Sequence, residues 1–205
     1  MTRLLVATRS GGKQQEFRSL LCAPGLEIVF PDDIGIPESP DEDRLEVHSS
    51  FEQNARAKAT WFCTRSGLPT LADDSGLEVD ALNGAPGVYS KRYSGVSGSE
   101  PDVTAANNAH LLAALRDIPP SGRTARYRCV LVLIRPDGRE QVADGTTEGR
   151  ITESPVGQNG FGYDPIFFSN ELGMTFGEAT ADPKHAVSHR ARAVRVMSGI
   201  VRSME

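Results

Sequence analysis

The amino-acid sequence predicts an α/β protein. Strand-like apolar runs alternate with segments of helical periodicity along the chain, the pattern of a sheet flanked by helices. The 205 residues are enough for one α/β domain or for two lobes that share a core. No internal repeat, low-complexity segment or linker interrupts the sequence, so we expect residues 1–205 to form a single domain.

The first half of the chain contains three predicted strands and two predicted helices. Short, nearly continuous apolar runs mark the strands. They are Arg3–Ala7, Leu26–Phe30 and Pro69–Asp73. Apolar residues at helical spacing predict helices at Gln14–Cys22 and Phe51–Ser66, the second capped by Ser49 or Ser50. The acidic stretch 31–49 contains three prolines and is expected to be an irregular loop, either functional or mobile.

The second half continues the alternation. A helix is predicted at Thr104–Leu115, followed by two prolines. A strong strand at Thr124–Ile134 turns at Pro136-Asp137-Gly138 into a further strand at Gln141–Gly145. These elements extend the predicted sheet toward the C-terminal part of the chain.

The tail, Thr180–Glu205, is expected to form one helix or two in series. Ser188 as an N-cap would place His189 and Arg190 in the first helical turn, facing whatever lies beyond that N-terminus. The predicted apolar stripe of this helix consists of Val194, Met197, Ile200 and Val201.

Composition excludes several classes of protein. A net charge of −5 argues against broad nucleic-acid binding, because phosphate neutralisation needs a basic face. No apolar run approaches the roughly 18 residues of a membrane span. The N-terminus lacks a small-residue cleavage site, so we expect a cytoplasmic protein. Cys22, Cys63 and Cys129 are widely separated, which predicts reduced thiols in or near the core rather than a disulfide framework or zinc site.

The stretch Leu71–Gly95 has the densest functional signal. Asp73 and Asp74 are expected at the carboxyl end of a central strand, the edge at which open α/β sheets bind ligands. Adjacent carboxylates followed at once by Ser75 and a glycine indicate a place that holds a hard cation or a water to be deprotonated.

Two glycine-rich loops add candidate binding groups. Thr8–Lys13 follows a strand and precedes a helix, an arrangement that can point backbone N–H groups at an anion, although it is not a Walker A loop. A plain turn between strand and helix is the alternative. The second loop contains Gly160-Phe161-Gly162, and the glycines on both sides of Phe161 would let its ring lie against a nucleobase. The alternative for Phe161 is an aromatic anchor in a hairpin loop.

Five motifs, taken in order, carry a resemblance to a known family. They are ATRSGGKQQEF, SFEQNARAKA, LADDSGLEVDALNGAPGVYSKRYSG, GQNGFGYDPIFF and KHAVSHRARA. Together they resemble the inosine/xanthosine triphosphate pyrophosphatases over nearly the whole chain. The resemblance implies a long, mixed, twisted sheet flanked by helices, two lobes with a central nucleotide cleft, and a homodimer. It also implies Mg²⁺-dependent hydrolysis of dITP, ITP and XTP to the monophosphate and pyrophosphate.

The same resemblance assigns roles to individual residues. Asp74 matches the catalytic general base and, with Glu46, the metal ligands. The remaining matches are contacts to the purine nucleotide. They are Thr8, Arg9, Ser10, Gly11, Gly12, Lys13, Lys58, Ser75, Phe161, Gly162, Tyr163, Asp164, Lys184, His189 and Arg190.

Two positions depart from the family pattern. Ser10 stands where the family usually carries Asn, and its hydroxyl reaches less far toward a phosphate. His48 stands where the family carries Gly, a change that can alter the path of the loop bearing Glu46.

The chemistry leads to a hypothesis for the reaction. Asp74, directly or through the metal, would deprotonate a water that attacks the α-phosphorus, and Lys13 and Lys58 would stabilise the leaving pyrophosphate. Donors from His189, Arg190 or loop N–H groups would fit the 6-keto oxygen of hypoxanthine or xanthine and clash with adenine. The alternatives are a pyrophosphatase for another modified nucleotide and a non-catalytic nucleotide sensor.

Overall fold

A computed structural model describes the backbone of residues 2–202 and the side chains of residues 2–199. Within that part of the chain, five α-helices flank a sheet of seven strands. The strands are β1 (Thr2–Val6), β2 (Leu26–Val29), β3 (Thr70–Val79), β4 (Thr124–Ile134), β5 (Glu140–Ile151), β6 (Phe167–Ser169) and β7 (Met174–Thr175). The helices are α1 (Gly11–Leu20), α2 (Phe51–Ser66), α3 (Glu100–Ala114), α4 (Ala181–Val187) and α5 (His189–Arg202).

The sheet is mixed and has the strand order β2-β1-β3-β4-β5-β6-β7. β1 pairs in parallel with β2, with Leu4 opposite Ile28, and with β3, with Val6 opposite Leu71. β6 pairs antiparallel with β5 and with β7. The α/β class and the mixed sheet flanked by helices are therefore confirmed.

The chain divides into two compact units. The first contains the described parts of Met1–Asp74, Cys129–Gly145 and Arg190–Glu205. The second contains Ser75–Arg128 and Thr146–His189. Each unit draws on separate stretches of sequence, and each has its own apolar core. Phe17, Phe30 and Leu131 lie in the first core, and Leu111, Phe167 and Phe176 lie in the second.

Strand β3 is longer than predicted, and this changes the position of the acid pair. Asp73 and Asp74 lie inside β3, which continues to Val79, so the prediction that they end the strand is wrong. They lie instead just past the point where β1 stops pairing, since Val6 is opposite Leu71. Both carboxylates have polar partners, so their burial does not terminate the strand.

Helix α1 begins three residues earlier than predicted, so Gly11, Gly12 and Lys13 form its first turn. It also ends earlier, at Leu20, which leaves Cys22 exposed while Cys63 and Cys129 are buried as predicted. The predicted α2 is confirmed, with Ser50 as its N-cap: the Ser50 hydroxyl accepts from the Gln53 N–H at 3.3 Å. β4 is also confirmed at its predicted bounds.

The acidic stretch 31–49 is more regular than predicted. It contains two 3₁₀ turns, Asp32–Ile34 and Pro40–Glu46, and the second is closed by a capping box between Ser39 and Glu42. The tail forms two helices in series, and α5 begins at His189 directly after Ser188, as expected. Val194 and Met197 are buried, whereas the Ile200 and Val201 side chains lie outside the described residues. Every helix in residues 2–202 is too short or too polar to span a membrane.

Candidate functional site

Asp73 is the centre of a buried ion cluster in the first unit. Its carboxylate is 1% exposed and lies 2.9 Å from Lys13 Nζ and 3.3 Å from Arg190 Nη2. Burial alone would raise the pKa of Asp73, but the charges of Lys13, Arg190 and Lys58 outweigh it and hold the pKa well below its usual range. Asp73 is therefore a fixed anion that orients the cations around it.

Arg190 is held by two acids and is itself fully enclosed. Its guanidinium bonds Glu16 on α1 as well as Asp73, and it lies 5.8 Å from the centroid of the Phe17 ring. Burial would lower the pKa of Arg190, but Glu16 and Asp73 raise it above its ordinary value. In this structure Arg190 therefore acts as a buried support for Asp73, and its predicted contact with a nucleotide stays a prediction.

Asp74 is adjacent to Asp73 but has a different environment. Successive strand residues point to opposite faces of a sheet. Asp74 Oδ2 accepts a hydrogen bond of 2.8 Å from Asn54 Nδ2 on α2. Burial raises the pKa of Asp74, and the Glu46 carboxylate adds to that rise, against the opposing effect of Lys58, Lys13 and Asn54. A carboxylate with a raised pKa is suited to accept a proton.

Lys58 and Glu46 form an ion pair beside Asp74. Lys58 Nζ lies 2.5 Å from Glu46 Oε1, and the side chains are 10% and 29% exposed. Burial lowers the pKa of Lys58, but Glu46, Asp74 and Asp73 raise it above its ordinary value, so the lysine is charged. Helix α2 therefore places Lys58 among three carboxylates, and its predicted contact with a phosphate stays a prediction.

The loop Thr8–Lys13 contains the start of a helix. The first turn of α1 has backbone N–H groups without intrahelical acceptors, and the Ser10 side chain makes no capping hydrogen bond to them. A Cβ built on Gly11 would meet no atom within 4 Å, so the space in front of this N-terminus is open. The Ser10 N–H donates to Thr8 Oγ1 at 3.3 Å and shapes the loop. The loop predicted to be an anion cradle is thus a helix N-terminus with Lys13 in its first turn, and anion binding there stays a prediction.

Glu46 and Asp74 are a chemically suitable pair for Mg²⁺. Both supply hard carboxylate oxygens, and the charge of Glu46 is close enough to raise the pKa of Asp74. Within residues 2–199, no three His, Cys, Asp or Glu side chains come together as a metal-ligand set. A cation here would therefore need water or substrate oxygens to complete its shell, as Mg²⁺ commonly does.

In the second unit, Asp164 organises the glycine-rich loop. Its Oδ2 accepts a hydrogen bond of 2.8 Å from the Phe161 N–H and lies 2.7 Å from Lys184 Nζ. The Tyr127 side chain also hydrogen-bonds the Asp164 carboxylate. Lys184 Nζ lies 4.8 Å from the centroid of the Phe161 ring, a cation–π distance. The loop is therefore fixed through a carboxylate that is 4% exposed.

Two other predicted residues have roles in the core of this unit. The Tyr163 side chain is buried, and its hydroxyl donates to the Ser90 carbonyl at 2.8 Å. The His189 ring stacks on Tyr127 with centroids 4.7 Å apart and an interplanar angle of 9°. Phe161, by contrast, is half-buried, and Ser75 lies half-buried in β3. Phe161 is the ring of this loop best placed for stacking on a ligand.

The sequence profile of the Ham1 family matches residues 4–200. The chain belongs to the Ham1 family. A dITP/XTP pyrophosphatase of Geobacter sulfurreducens is 46% identical over 198 residues, which cover 96% of this chain and 95% of that protein. A dITP/XTP pyrophosphatase of Xylella fastidiosa is 45% identical over 196 residues, with 95% and 94% covered.

Solved Ham1 structures share the fold. A HAM1 protein from Coxiella burnetii superposes with a TM-score of 0.85 at 34% identity, covering 99% of this chain and all of that one. A nucleoside-triphosphatase / dITP/XTP pyrophosphatase from Mycobacterium abscessus has a TM-score of 0.73 at 44% identity, with 96% and 98% covered. The resemblance first drawn from five motifs is confirmed at the level of family and fold.

The departure at His48 from the Ham1 pattern is accommodated without strain. Among the described residues, the non-glycine residue with positive φ is Asn83, so His48 has an ordinary backbone conformation. The His48 N–H donates to Asn54 Oδ1 at 2.9 Å while its side chain is exposed. The loop after Glu46 is therefore held through the backbone, and Glu46 keeps its place beside Lys58.

Sequence reasoning missed three residues that position this Ham1 site. The motifs and spacings of the sequence assign no role in the site to Asn54, Glu16 or Tyr127. Asn54 is fully buried and Glu16 is 6% exposed, on helices whose other polar residues are mostly solvated. A polar residue on the apolar side of a helix is the signal that could have found Asn54 and Glu16, whereas Tyr127 lies on strand β4 and has no such signal.

Proposed function

We propose that this Ham1 protein is a Mg²⁺-dependent nucleoside-triphosphate pyrophosphatase. It would hydrolyse dITP, ITP and XTP to the monophosphate and pyrophosphate, and so remove deaminated purines from the nucleotide pool. The names of its relatives from Geobacter and Xylella support this assignment. The observation that carries it is the acid pair: Asp73 lies 2.9 Å from Lys13 Nζ and 3.3 Å from Arg190 Nη2, and the adjacent Asp74 accepts a hydrogen bond from Asn54. Burial also raises the pKa of Asp74.

The first unit supplies the groups for the triphosphate. A bound triphosphate has roughly four negative charges that must be offset before a nucleophile can approach. Lys13 and Lys58 are cations with side chains 19% and 10% exposed, and the α1 N-terminus adds backbone N–H donors. Asp73 keeps Lys13 oriented, so the charge is in place before the substrate binds.

Asp74 is assigned as the general base that accepts the proton of the attacking water. Its carboxylate removes a proton from a water, and the water oxygen forms a bond to the α-phosphorus. The bond from that phosphorus to the bridging oxygen of the β-phosphate breaks, and pyrophosphate leaves with the electron pair. Asp74 then holds the proton, which is released to solvent. Burial helps because it brings the pKa of Asp74 closer to the working pH.

Glu46 and Asp74 are the residues that would hold Mg²⁺, with substrate and water oxygens completing the shell. The cation, when bound, would supply neutralisation of phosphate charge. Lys58 contacts Glu46 directly, so it also sets the geometry of one proposed ligand.

The second unit supplies the groups for base recognition. Phe161 offers a ring for stacking, and Lys184 beside that ring is a donor that matches a 6-keto oxygen, as are loop N–H groups other than that of Phe161, which Asp164 engages. Adenine presents a donor at that position, and a buried donor left unpaired costs roughly 1–3 kcal/mol. This corresponds to discrimination against dATP of about tenfold to a hundredfold for each mispaired contact.

The same proposal includes a homodimer, which the family resemblance implies, and the cytoplasmic location that is expected from the sequence. Light scattering coupled to size-exclusion chromatography tests the dimer directly. A mass near twice the 22.1 kDa of the chain supports it, and a mass near 22.1 kDa contradicts it.

A pyrophosphate-release panel tests the function. The wild-type protein is assayed with dITP, XTP, dGTP, dATP and modified pyrimidine triphosphates, with and without Mg²⁺. Release from dITP and XTP only with Mg²⁺, and slow release from dATP, is the expected result. A preferred modified pyrimidine triphosphate would point to another pyrophosphatase, and binding without release would point to a nucleotide sensor; either result contradicts the proposal.

The role of Asp74 is tested with an isosteric change. Asp74→Asn should lower kcat by at least about 10²-fold, because the amide cannot accept the proton. Asp117→Asn makes the same chemical change at an exposed position and should leave kcat unchanged. Near-normal turnover in folded Asp74→Asn protein removes Asp74 from this role.

A further inference from the structure

Arg9 links the loop Thr8–Lys13 to the acidic stretch 31–49, which contains Glu46. Its Nε and Nη2 bind the two Glu42 oxygens, each at 2.8 Å, in a bidentate fork. Nη2 also donates to the Ile36 carbonyl at 3.1 Å, and Nη1 pairs with Asp32. The Arg9 and Glu42 side chains are only 18% and 17% exposed, so this pair is shielded from solvent more than an ordinary surface ion pair.

Glu42 in turn organises the 3₁₀ turn Pro40–Glu46. Its Oε1 accepts the Ser39 N–H at 3.2 Å and forms one half of the capping box. The far end of the same turn is fixed by the ion pair between Glu46 and Lys58. The segment is therefore anchored at its start by Arg9 and at its end by α2.

We propose that Arg9 is a positioning residue, which through Glu42 sets the place of Glu46 relative to the first loop. This inference rests on the proposed function, because Glu46 matters as a proposed ligand of the catalytic cation. Arg9 lies between Thr8 and Ser10, so the same fork also fixes the loop that forms the anion cradle. One ion pair thus couples the phosphate-binding and cation-binding parts of the first unit.

The contacts of Arg9 argue against the simpler role predicted by sequence, a direct phosphate contact. A guanidinium has five N–H donors, and four hydrogen bonds to Glu42, Asp32 and Ile36 already engage this one. One Nη1 N–H is left, so a bidentate phosphate contact would require Arg9 to give up bonds to the Glu42 carboxylate. The two roles therefore predict opposite effects of removing the Glu42 charge.

A double-mutant cycle separates the two roles. Arg9→Gln, Glu42→Gln and the double variant are compared with wild type in dITP hydrolysis, with kcat and KM measured across Mg²⁺ concentration. If Arg9 positions Glu46, each single change lowers kcat/KM by about three- to tenfold, as coupling between contacting residues allows. Both single variants need a higher Mg²⁺ concentration for activity. The kcat/KM of the double variant is no lower than that of the less active single variant.

Hydrogen exchange gives a readout that does not require activity. In the ligand-free proteins, both single variants should show faster exchange of the backbone amides of residues 41–48, because the start of the turn is released. Arg18→Gln is the matched control. It removes the exposed 3.5 Å pair between α1 and Asp33 of the same segment, and it should change neither exchange nor kinetics.

The result that overturns the inference is a raised KM in Arg9→Gln together with normal kinetics and exchange in Glu42→Gln. That pattern assigns Arg9 to direct substrate binding. Additive effects in the double variant also overturn it. If wild type releases no pyrophosphate, the proposed function fails, but the exchange experiment still decides whether Arg9 holds the segment.

Discussion

Asn54 divides its amide between two parts of the first unit. Its Nδ2 donates to Asp74 Oδ2 at 2.8 Å, and its Oδ1 accepts the His48 N–H at 2.9 Å. One buried side chain thus supports the charged form of Asp74 and holds the loop that follows Glu46. Burial raises the pKa of Asp74, and the Asn54 hydrogen bond opposes that rise.

Removing this amide should move the acidic limb of the pH–rate profile. Protonated Asp74 cannot accept a proton, so kcat/KM for dITP should fall as the pH falls through the raised pKa. Asn54→Ala removes a bond to the charged form and raises that pKa further. The limb should then move up by about one to two pH units, the equivalent of a hydrogen bond to a charged group.

The control for this shift is Gln53→Ala, which truncates an exposed neighbour on the same helix and should leave the profile in place. A profile of Asn54→Ala that is lower at every pH, with no displacement of its limb, would contradict the role of Asn54 in setting the pKa. Circular dichroism on the same samples separates loss of fold from loss of the hydrogen bond.

Part of the site could be predicted from the residue types in the sequence. The rest depends on which residues the fold brings together. Asp73, Asp74 and the cradle lysine could be predicted because paired acids and a helix-start lysine are unusual in sequence. The partners could not. Arg9 and Arg190 are both arginines beside glycine- or histidine-containing motifs, yet one binds Glu42 and the other binds Glu16, 174 residues away in sequence. Pairings over such separations depend on packing rather than on local pattern.

The loop from Gly157 to Asp164 contains two glycines at which a side chain would clash with the surrounding structure. Gly160 has φ +75°, and a Cβ there would overlap the Asp164 carboxylate. Gly157 has φ +82°, and its Cβ would overlap the backbone of Gly177. The loop is therefore packed around Asp164, which in turn holds the Phe161 N–H and Lys184.

Gly160→Ala should destabilise the protein by more than the cost of the left-handed backbone conformation at residue 160. A left-handed conformation costs a non-glycine residue roughly 1–2 kcal/mol, and here the new methyl also displaces Asp164. We expect a larger loss of unfolding free energy and a raised KM for dITP. Gly173→Ala is the control, since Gly173 has φ +66° and open space around it.

Urea unfolding of the two variants gives the comparison. Equal losses of unfolding free energy, with KM unchanged in Gly160→Ala, would mean that the Asp164 contact does not organise the loop. The difference between the two variants isolates the steric part, because both change a glycine in the same backbone region.

At the scale of elements, the hydrophobic pattern predicted those helices and strands whose formation depends on local interactions. α2 and β4 were placed correctly because each has a clear period and, for α2, a serine cap. β3 was cut short because acids and a Ser-Gly pair normally favour turns. Asp73 is paired with the cations Lys13 and Arg190, and Asp74 accepts a hydrogen bond from Asn54. These partners come from three different helices, and no local rule anticipates that.

At the scale of the whole molecule, the site couples to stability through Asp73. An acid whose pKa is lowered by folding contributes stability above its unfolded pKa of about 3.9, and that stability is lost as the pH falls through the folded pKa. Lys13 is the largest of the charges that lower the pKa of Asp73, and it also lowers the pKa of Asp74. Both effects make Lys13 stabilising at neutral pH.

Lys13→Gln should therefore lower the unfolding free energy at pH 7 by roughly 1.5–3 kcal/mol, the range for hydrogen bonds to charged groups. The difference from wild type should shrink below about pH 4, where the carboxylates protonate in the unfolded chain. Trp61, the single tryptophan of the chain, lies on α2 in the first unit, so its fluorescence during urea unfolding reports on the unit that contains the pair. Lys91→Gln makes the same charge change at an exposed position and should show no such pH dependence. A constant difference between Lys13→Gln and wild type from pH 7 to pH 3 would mean that Lys13 acts by packing alone.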